Sequence, residues 1–382
     1  MIQIGCAKKL IDYLGISPAQ ATKGIDPLFA FSANLIVMNR RKCIVIANDS
    51  TGCGFLLYGI TAGDKKKLQE LLEAGLRNML ASESISQEVI DRYIADCCFP
   101  ASLCKTGDRS SVARLNKFCQ RIERYENCFE PDDRFQTVLL PMINDDLRFT
   151  SDKKDVYATY EEQERALKEK YGKLYSTRAG VFDISLELET PCLRCVTVPM
   201  NFSLFYLHDI IQNLFLWKDY HLHEFILKRS KSGRPIQLAR IPSPEDDDIY
   251  GARGCEIVDE REITLEEVFS KTDRISYEYD FGDGWTHEIR LVEIIEDADL
   301  PAPVCTELKG DAPPEDCGGP GGFSELIRIL QDKKDPRHDE LVEWNGGSSV
   351  FQKNIEWINS DLRRRYIAGA FQLHYEITYD ED

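Results

Sequence analysis

Between residues 275 and 291 the chain reads ISYEYDFGDGWTHEIRL. Ile275, Tyr277, Tyr279 and Phe281 alternate with polar residues before a glycine-rich turn, and Trp285, His287, Ile289 and Leu291 alternate after it. Alternation with period two predicts a β-hairpin with one buried face. Two registers are open. A two-residue Asp283–Gly284 turn has the stronger local signal, but it sets Tyr279 opposite Glu288 and Tyr277 opposite Arg290. A three-residue loop, Gly282–Asp283–Gly284, pairs Phe281 with Trp285, Tyr279 with His287, Tyr277 with Ile289 and Ile275 with Leu291, which makes one continuous apolar face. Exposing large side chains costs roughly 1.5–3 kcal/mol each, against about 1 kcal/mol for a local turn preference. The apolar face therefore predicts the three-residue loop, with Gly284 at positive φ. In that register Glu278 opposes Glu288, a like-charge pair that is unfavourable without a nearby cation.

The rest of the chain predicts an α+β protein of two domains, the better prior for 382 residues. Residues 1–143 form the first. FSANLIVMNRRKCIVIANDSTGCGFLLYGI reads as a three-stranded meander with turns near Asn39–Arg41 and Asn48–Gly54, and amphipathic helices follow. Residues 144–178 are mostly charged and carry Glu161–Arg165 and Glu164–Lys168 at helical i,i+4 spacing, which predicts a solvated linker helix. Residues 179–382 form the second domain, a mixed or antiparallel sheet with packed helices. VFDISLELE alternates, SLFYLHDIIQNLFLW places Leu204, Leu207, Ile211, Leu214 and Phe215 on one helix face, and HEFILK is a further strand.

Charge narrows the partners. The formal net charge is −18. Binding to phosphates needs several local Lys or Arg contacts, and the basic spots are short: Lys65–Lys67, the run Lys228, Arg229, Lys231, Arg234, and Arg363–Arg365. Nucleic acid is the third-ranked partner class, behind a protein and a small ligand. The N-terminus lacks a secretory pattern and no apolar stretch is long enough for a membrane span, so the expected location is the cytoplasm, with thirteen cysteines reduced.

The candidate chemistry gathers in the second domain. His221 and His223, two apart in HLHEF, share a face if the segment is a strand. Asp280, Asp283, Trp285 and His287 lie in or beside the hairpin turn. PAPVCTELKGDAPPEDCGGPGGF, residues 301–323, is a long proline- and glycine-rich segment carrying Glu315 and Asp316, and long ordered loops in compact domains are usually functional. The glycines lead into a helix whose N-terminus suits an anion. These eight residues are the ligand-binding candidates. His221, His223, Asp283 and His287 are the candidate ligands of a divalent metal, while a core histidine and a tight-turn aspartate are the plainer readings of His287 and Asp283. Cys192 and Cys195 form a lone CxxC without a second pair at zinc-ribbon spacing. The DFG at 280–282 lacks the other protein-kinase motifs, and HEIRL has Leu291 where a zinc protease needs its second histidine.

VTVPMNFSLFYLHDIIQNLFLWKDYHLHEF, ISYEYDFGDGWTHEI, CTELKGDAPPEDCGGPGGF and HDELVEWNGG together closely resemble the plasmid pRiA4b ORF-3-like family, also labelled a TnpR-like passenger protein of insertion sequences. The N-terminal FSANLIVMNRRKCIVIANDSTG and RSSVARLN resemble a bacterial domain family of unknown function. The first resemblance implies an α+β domain, with a β-grasp-like core among its forms, and supplies no reaction. A serine recombinase needs a serine nucleophile amid arginines, and no such cluster surrounds Ser17 or Ser32. The leading functional reading is a non-catalytic binding module travelling with plasmids or mobile elements. A metal-dependent hydrolase using the His, Asp and Glu cluster is the alternative, and a nucleic-acid-binding accessory protein the third.

Overall fold

The structure is a computed structural model and describes residues 1–107, 109–145, 147–149, 156–227, 236–239, 257–346 and 354–367. The protein is α+β and has two compact units, one of residues 1–176 with 364–382 and one of residues 177–363. Residues 243–254, the acidic stretch SPEDDDIYGARG, and the basic run Lys228, Arg229, Lys231 and Arg234 lie outside the described residues.

The first unit is built on a five-stranded sheet of β1 (Gln3–Cys6), β2 (Ala30–Met38), β3 (Arg41–Asn48), β4 (Gly54–Leu57) and β5 (Ser102–Lys105), in the order β4-β3-β2-β1-β5. β1 runs parallel to both of its neighbours, and β2–β4 form the expected antiparallel meander. Asn39 and Arg40 make the β2–β3 turn at φ 47° and 62°, the left-handed backbone that suits the twist of a two-residue hairpin. Helices α1 (Lys8–Leu14), α2 (Leu68–Ser82), α3 (Gln87–Cys97), α4 (Arg109–Arg124) and α5 (Leu140–Asn144) complete the core with their apolar stripes. A short antiparallel pair, β6 (Leu147–Phe149) and β7 (Val156–Ala158), precedes α6 (Thr159–Tyr171).

α6 corrects the expectation of a solvated linker helix. It buries Tyr160, Gln163, Leu167 and Tyr171, and Leu167 and Tyr171 join Leu174 and Tyr175 in the core of the first unit. The charges remain on the outer side, where Glu164 and Lys168 pair at 2.8 Å. Four buried positions at helical spacing suffice for a packed stripe, and a high overall charge hid that spacing.

The second unit is an eight-stranded sheet. Its elements in chain order are β8 (Thr177–Leu186), β9 (Cys192–Pro199), α7 (Leu204–Phe215), β10 (His223–Leu227), β11 (Ile236–Ala239), β12 (Ile257–Asp259), α8 (Leu265–Phe269), β13 (Arg274–Tyr279), β14 (Trp285–Ala298), β15 (Val304–Lys309), α9 (Gly319–Gln331), α10 (His338–Trp344) and, as far as Arg363, α11 (Ile355–Tyr366). The strand order is β12-β11-β10-β13-β14-β8-β9-β15, antiparallel except for the β11–β12 pair. The alternation of β8 buries Phe182, Ile184 and Leu186, and α7 buries all five residues expected of it.

The hairpin keeps the expected face but not the expected register. Tyr279 pairs with Trp285, Tyr277 with His287 and Ile275 with Ile289. Five residues, Asp280–Gly284, therefore form the loop. A shift of two preserves parity, so the same side chains stay inside. Asp280 explains the longer loop. At φ 56° its Oδ1 accepts from Gly282 N at 2.9 Å and Asp283 N at 3.3 Å, and its carbonyl accepts from Gly284 N at 2.6 Å. Such a side-chain-to-backbone turn competes with strand pairing. Phe281 is left exposed rather than paired with Trp285, and Gly284 has the expected positive φ, 71°. Glu278 now faces Thr286 and, across β10, Glu224, rather than Glu288.

Arg194 on β9 was not singled out from sequence. It is buried, donates to the carbonyls of Leu193, Lys309, Gly310 and Leu214, and lies over the ring of Phe215.

Leu167→Ala distinguishes a packed α6 from a solvated one. We expect a loss of roughly 2–4 kcal/mol in urea unfolding; an effect within about 0.5 kcal/mol, as at a solvated surface, would contradict the packing.

Candidate functional site

Trp285 and His287 occupy the inner face of the sheet. Neighbouring strands align their side chains into rows, His223–Tyr279–Trp285 and Phe225–Tyr277–His287–Leu186. Trp285 and His287 have no exposed surface. Trp217 stacks on Tyr279 with centroids 4.9 Å apart and approaches Trp285 at 6.0 Å. His287 is boxed by Phe215, Trp217 and Tyr277, with Nδ1 3.4 Å from the Tyr277 carbonyl oxygen. Burial lowers its pKa to about 3, so it is a neutral core residue.

Directly beyond this face, the hairpin tip meets the proline-glycine segment. Asp283 Oδ2 accepts from Gly318 N at 3.2 Å, and Gly318 is the N-cap of α9. The anion at this helix start is thus the chain's own carboxylate, which complements the helix dipole. Gly319 follows at φ 68°, and a Cβ there would stand 2.5 Å from the Asp283 carbonyl oxygen. Glu315 Oε1 accepts from the Tyr279 hydroxyl at 2.5 Å and from Lys218 N at 3.1 Å. Burial first, and then the Glu315 hydrogen bond, raise the Tyr279 pKa.

His221 is where the tip and the segment join. Its Nε2 lies 3.3 Å from Asp316 Oδ1 and 3.7 Å from Asp280 Oδ2, and one ligand atom from each of the three residues falls within 4.8 Å of the others. Asp280 is almost fully buried and held by its turn, whereas Asp316, at φ 58°, is 69% exposed. Tyr220, Leu222 and Phe281 are exposed on the same two loops. Asp316 also lines a recess of about 280 Å³ whose walls include Leu326, Ile329, Leu341 and Trp344.

The two histidines of HLHEF part company. His221 precedes the strand, and His223 opens β10 with its side chain in the interior. There His223 stacks on His208, a residue of α7 that sequence reasoning passed over as part of an apolar helix face. The four metal candidates are accordingly spread over four places: His221 at the junction, Asp283 on the α9 cap, and His223 and His287 in separate parts of the interior. Cys192 and Cys195 lie on opposite faces of β9, with Cys192 Sγ on the Asp311 carbonyl and Cys195 Sγ on Asp183 Oδ1, so they do not converge on a common ion. Burial, and then Asp183, push the Cys195 thiol up to about 12.

Residues 178–360 carry the hairpin, the capped α9 and both histidine environments. They match the model of the plasmid pRiA4b ORF-3-like protein family, and the chain belongs to that family. Residues 3–161 match a domain of unknown function, DUF6933. Similar proteins include the uncharacterized protein y4hQ of Sinorhizobium fredii, 32% identical over 163 residues that make up 42% of this chain and 77% of the relative. A crystal structure of a protein of unknown function from Methanosarcina mazei Go1 is 27% identical and covers 48% of this chain and 97% of its own, with a TM-score of 0.41. Among the described residues, no helix is long and apolar enough to cross a membrane.

Two outcomes check this arrangement. An unfolded histidine titrates near 6.5 and the buried His287 at about 3. Between those values the unfolded chain binds a proton that the folded chain refuses, so the His287 contribution falls as pH drops below about 6.5 and levels off below about 3. The slope approaches about 1.4 kcal/mol per pH unit, and urea midpoints of His287→Phe should show less acid sensitivity than wild type. Gly319→Ala should separate the tip from α9, destabilise by more than about 1 kcal/mol, and speed amide exchange at Gly318; unchanged exchange would mean that the contact is not closed.

Proposed function

We propose that the protein is a non-catalytic binding module and that the junction of hairpin tip and proline-glycine segment takes a basic, apolar-bearing segment of a partner protein. One observation carries the reading: Asp316 belongs at once to the His221–Asp280 cluster and to the wall of the apolar recess. A ligand reaching both needs a cationic group beside the carboxylates and an apolar side chain for the recess. Exposed Tyr220, Leu222 and Phe281 extend the apolar border. Preformed hydrogen bonds at Asp280, Asp283 and Glu315 support a site that is organised before the ligand arrives, which lowers the ordering cost of binding. Trp285 and His287 support the site from beneath rather than touch the ligand.

A fluorescent peptide with alternating Lys and Leu residues tests the proposal against a Glu-for-Lys control. Binding of the basic peptide should weaken with salt. Asp316→Asn combined with Asp280→Asn should reduce affinity by about tenfold or more, with the fold intact because asparagine keeps the Oδ1 acceptor of the turn. Trp344→Ala should weaken binding without changing its salt dependence. Equal binding of the two peptides, or none of the basic one, would sink the reading.

A further inference from the structure

Behind the junction lies a second cluster with a different composition. His208 on α7, Asp219 on the loop after it, and His223 at the start of β10 each offer a ligand atom, all within 4.8 Å of one another. His208 and His223 are almost fully buried, and Asp219 keeps a partly open side. His208 Nε2 stands 3.0 Å from Asp219 Oδ1.

The outer nitrogens of both rings are already held. His208 Nδ1 lies 2.8 Å from the Tyr277 hydroxyl, which also accepts from Gln212 Nε2 at 3.1 Å. His223 Nε2 lies 2.9 Å from Oε2 of Glu260, itself buried. A carboxylate accepting from one imidazole nitrogen leaves the lone pair on the other, and this relay is the usual support of a metal-bound histidine. In His223 that lone pair is on Nδ1, a buried atom with no hydrogen-bond partner among the described residues. Asp219 N donates to Gln212 Oε1 at 3.0 Å, which fixes the loop carrying the carboxylate.

We propose that His208 Nε2, His223 Nδ1 and Asp219 Oδ1 form a binding site for one zinc-class divalent cation, with Tyr277 and Glu260 orienting the two rings. Imidazole and carboxylate ligands suit such an ion, and three protein ligands leave a coordination position open on the Asp219 side. The rings are stacked at 3.5 Å and within 6° of parallel. Holding one ion with both lone pairs therefore requires one ring to turn about its Cβ–Cγ bond, a torsion without sharp wells, at the expense of part of the stack. With the ion on His208 Nε2, the hydrogen of the neutral ring sits on Nδ1, where it faces the Tyr277 oxygen. The loop of Asp219 also carries Tyr220, His221 and Leu222, so the ion would order one edge of the outer junction.

Full-length protein, stripped with a chelator and dialysed, is titrated with Zn²⁺ and Co²⁺. The expected result is one tightly bound equivalent, a raised melting temperature, and visible cobalt absorption without the intense charge-transfer band that thiolates give. Asp219→Asn and His223→Gln should each weaken binding at least about tenfold, and Glu260→Gln about 10–100-fold through His223. Asp316→Asn should leave the titration unchanged, which separates this site from the outer junction. The proposal is overturned by absence of a stoichiometric equivalent, by a thiolate band, or by binding that survives Asp219→Asn but not Asp316→Asn. If His223→Gln does not fold, wild type decides: an ion that binds the folded state must stabilise it, so an unchanged melting temperature is also decisive against the site.

Discussion

Burial of one aromatic face organises the second unit. His223, Phe225, Tyr277, Tyr279, Trp285 and His287 all project to the same side of three adjacent strands, and none retains more than a trace of exposed surface. Side chains of this size lose roughly 1.5–3 kcal/mol each when returned to water. A slip by one residue would expose every one of them on its strand, so pairing parity is far more strongly determined than any local turn. The outer features follow: with the strands set, the tip must emerge beside α9, and the loop after α7 must deliver His221 to it.

Parity was legible in the sequence and absolute register was not. Alternation reports which side chains lie together, but two registers that differ by two residues bury the same set. The decision fell to Asp280, whose side chain captures two amides of its own loop, and to Tyr279, whose hydroxyl reaches Glu315 and Tyr220 N. The first contact is local and the second crosses the fold, and neither leaves a periodic trace. The same limit applies to α6, where Leu167 and Tyr171 were outnumbered by charges in composition but not in spacing. His208 carried no signal at all, because a histidine within LFYLHDII is indistinguishable from a filler of an apolar helix until the strand it faces is known. Asp280 and Asp316 were readable as candidates because they fall in a turn and a proline-glycine segment, and His221 because HLHEF sets it two residues from His223.

Electrostatics divides the molecule differently from its net charge. The excess of acid is distributed, whereas Arg194 is a cation buried against the ring of Phe215 and surrounded by carbonyl oxygens. Those carbonyls belong to β9, to the end of β15 and to the end of α7, so one guanidinium joins three segments whose hydrogen bonds would otherwise be incomplete. Such a residue is costly to replace because each abandoned acceptor pays its own desolvation penalty. Asp283 and Glu315 use their charge on backbone amides and a phenol, which fixes loops.

The five residues from Asp219 to His223 form a short strap with two sides. Asp219 and His223 turn toward the interior, and Tyr220, His221 and Leu222 belong to the rim. The two sets are neighbours along the backbone. Whatever tightens the inner end restricts the positions open to the outer one, and thermodynamic reciprocity requires the influence to run equally in the opposite direction. In a fold this well packed, communication between depth and surface needs no relay of moving parts, because both ends of the message are written on the same few peptide bonds.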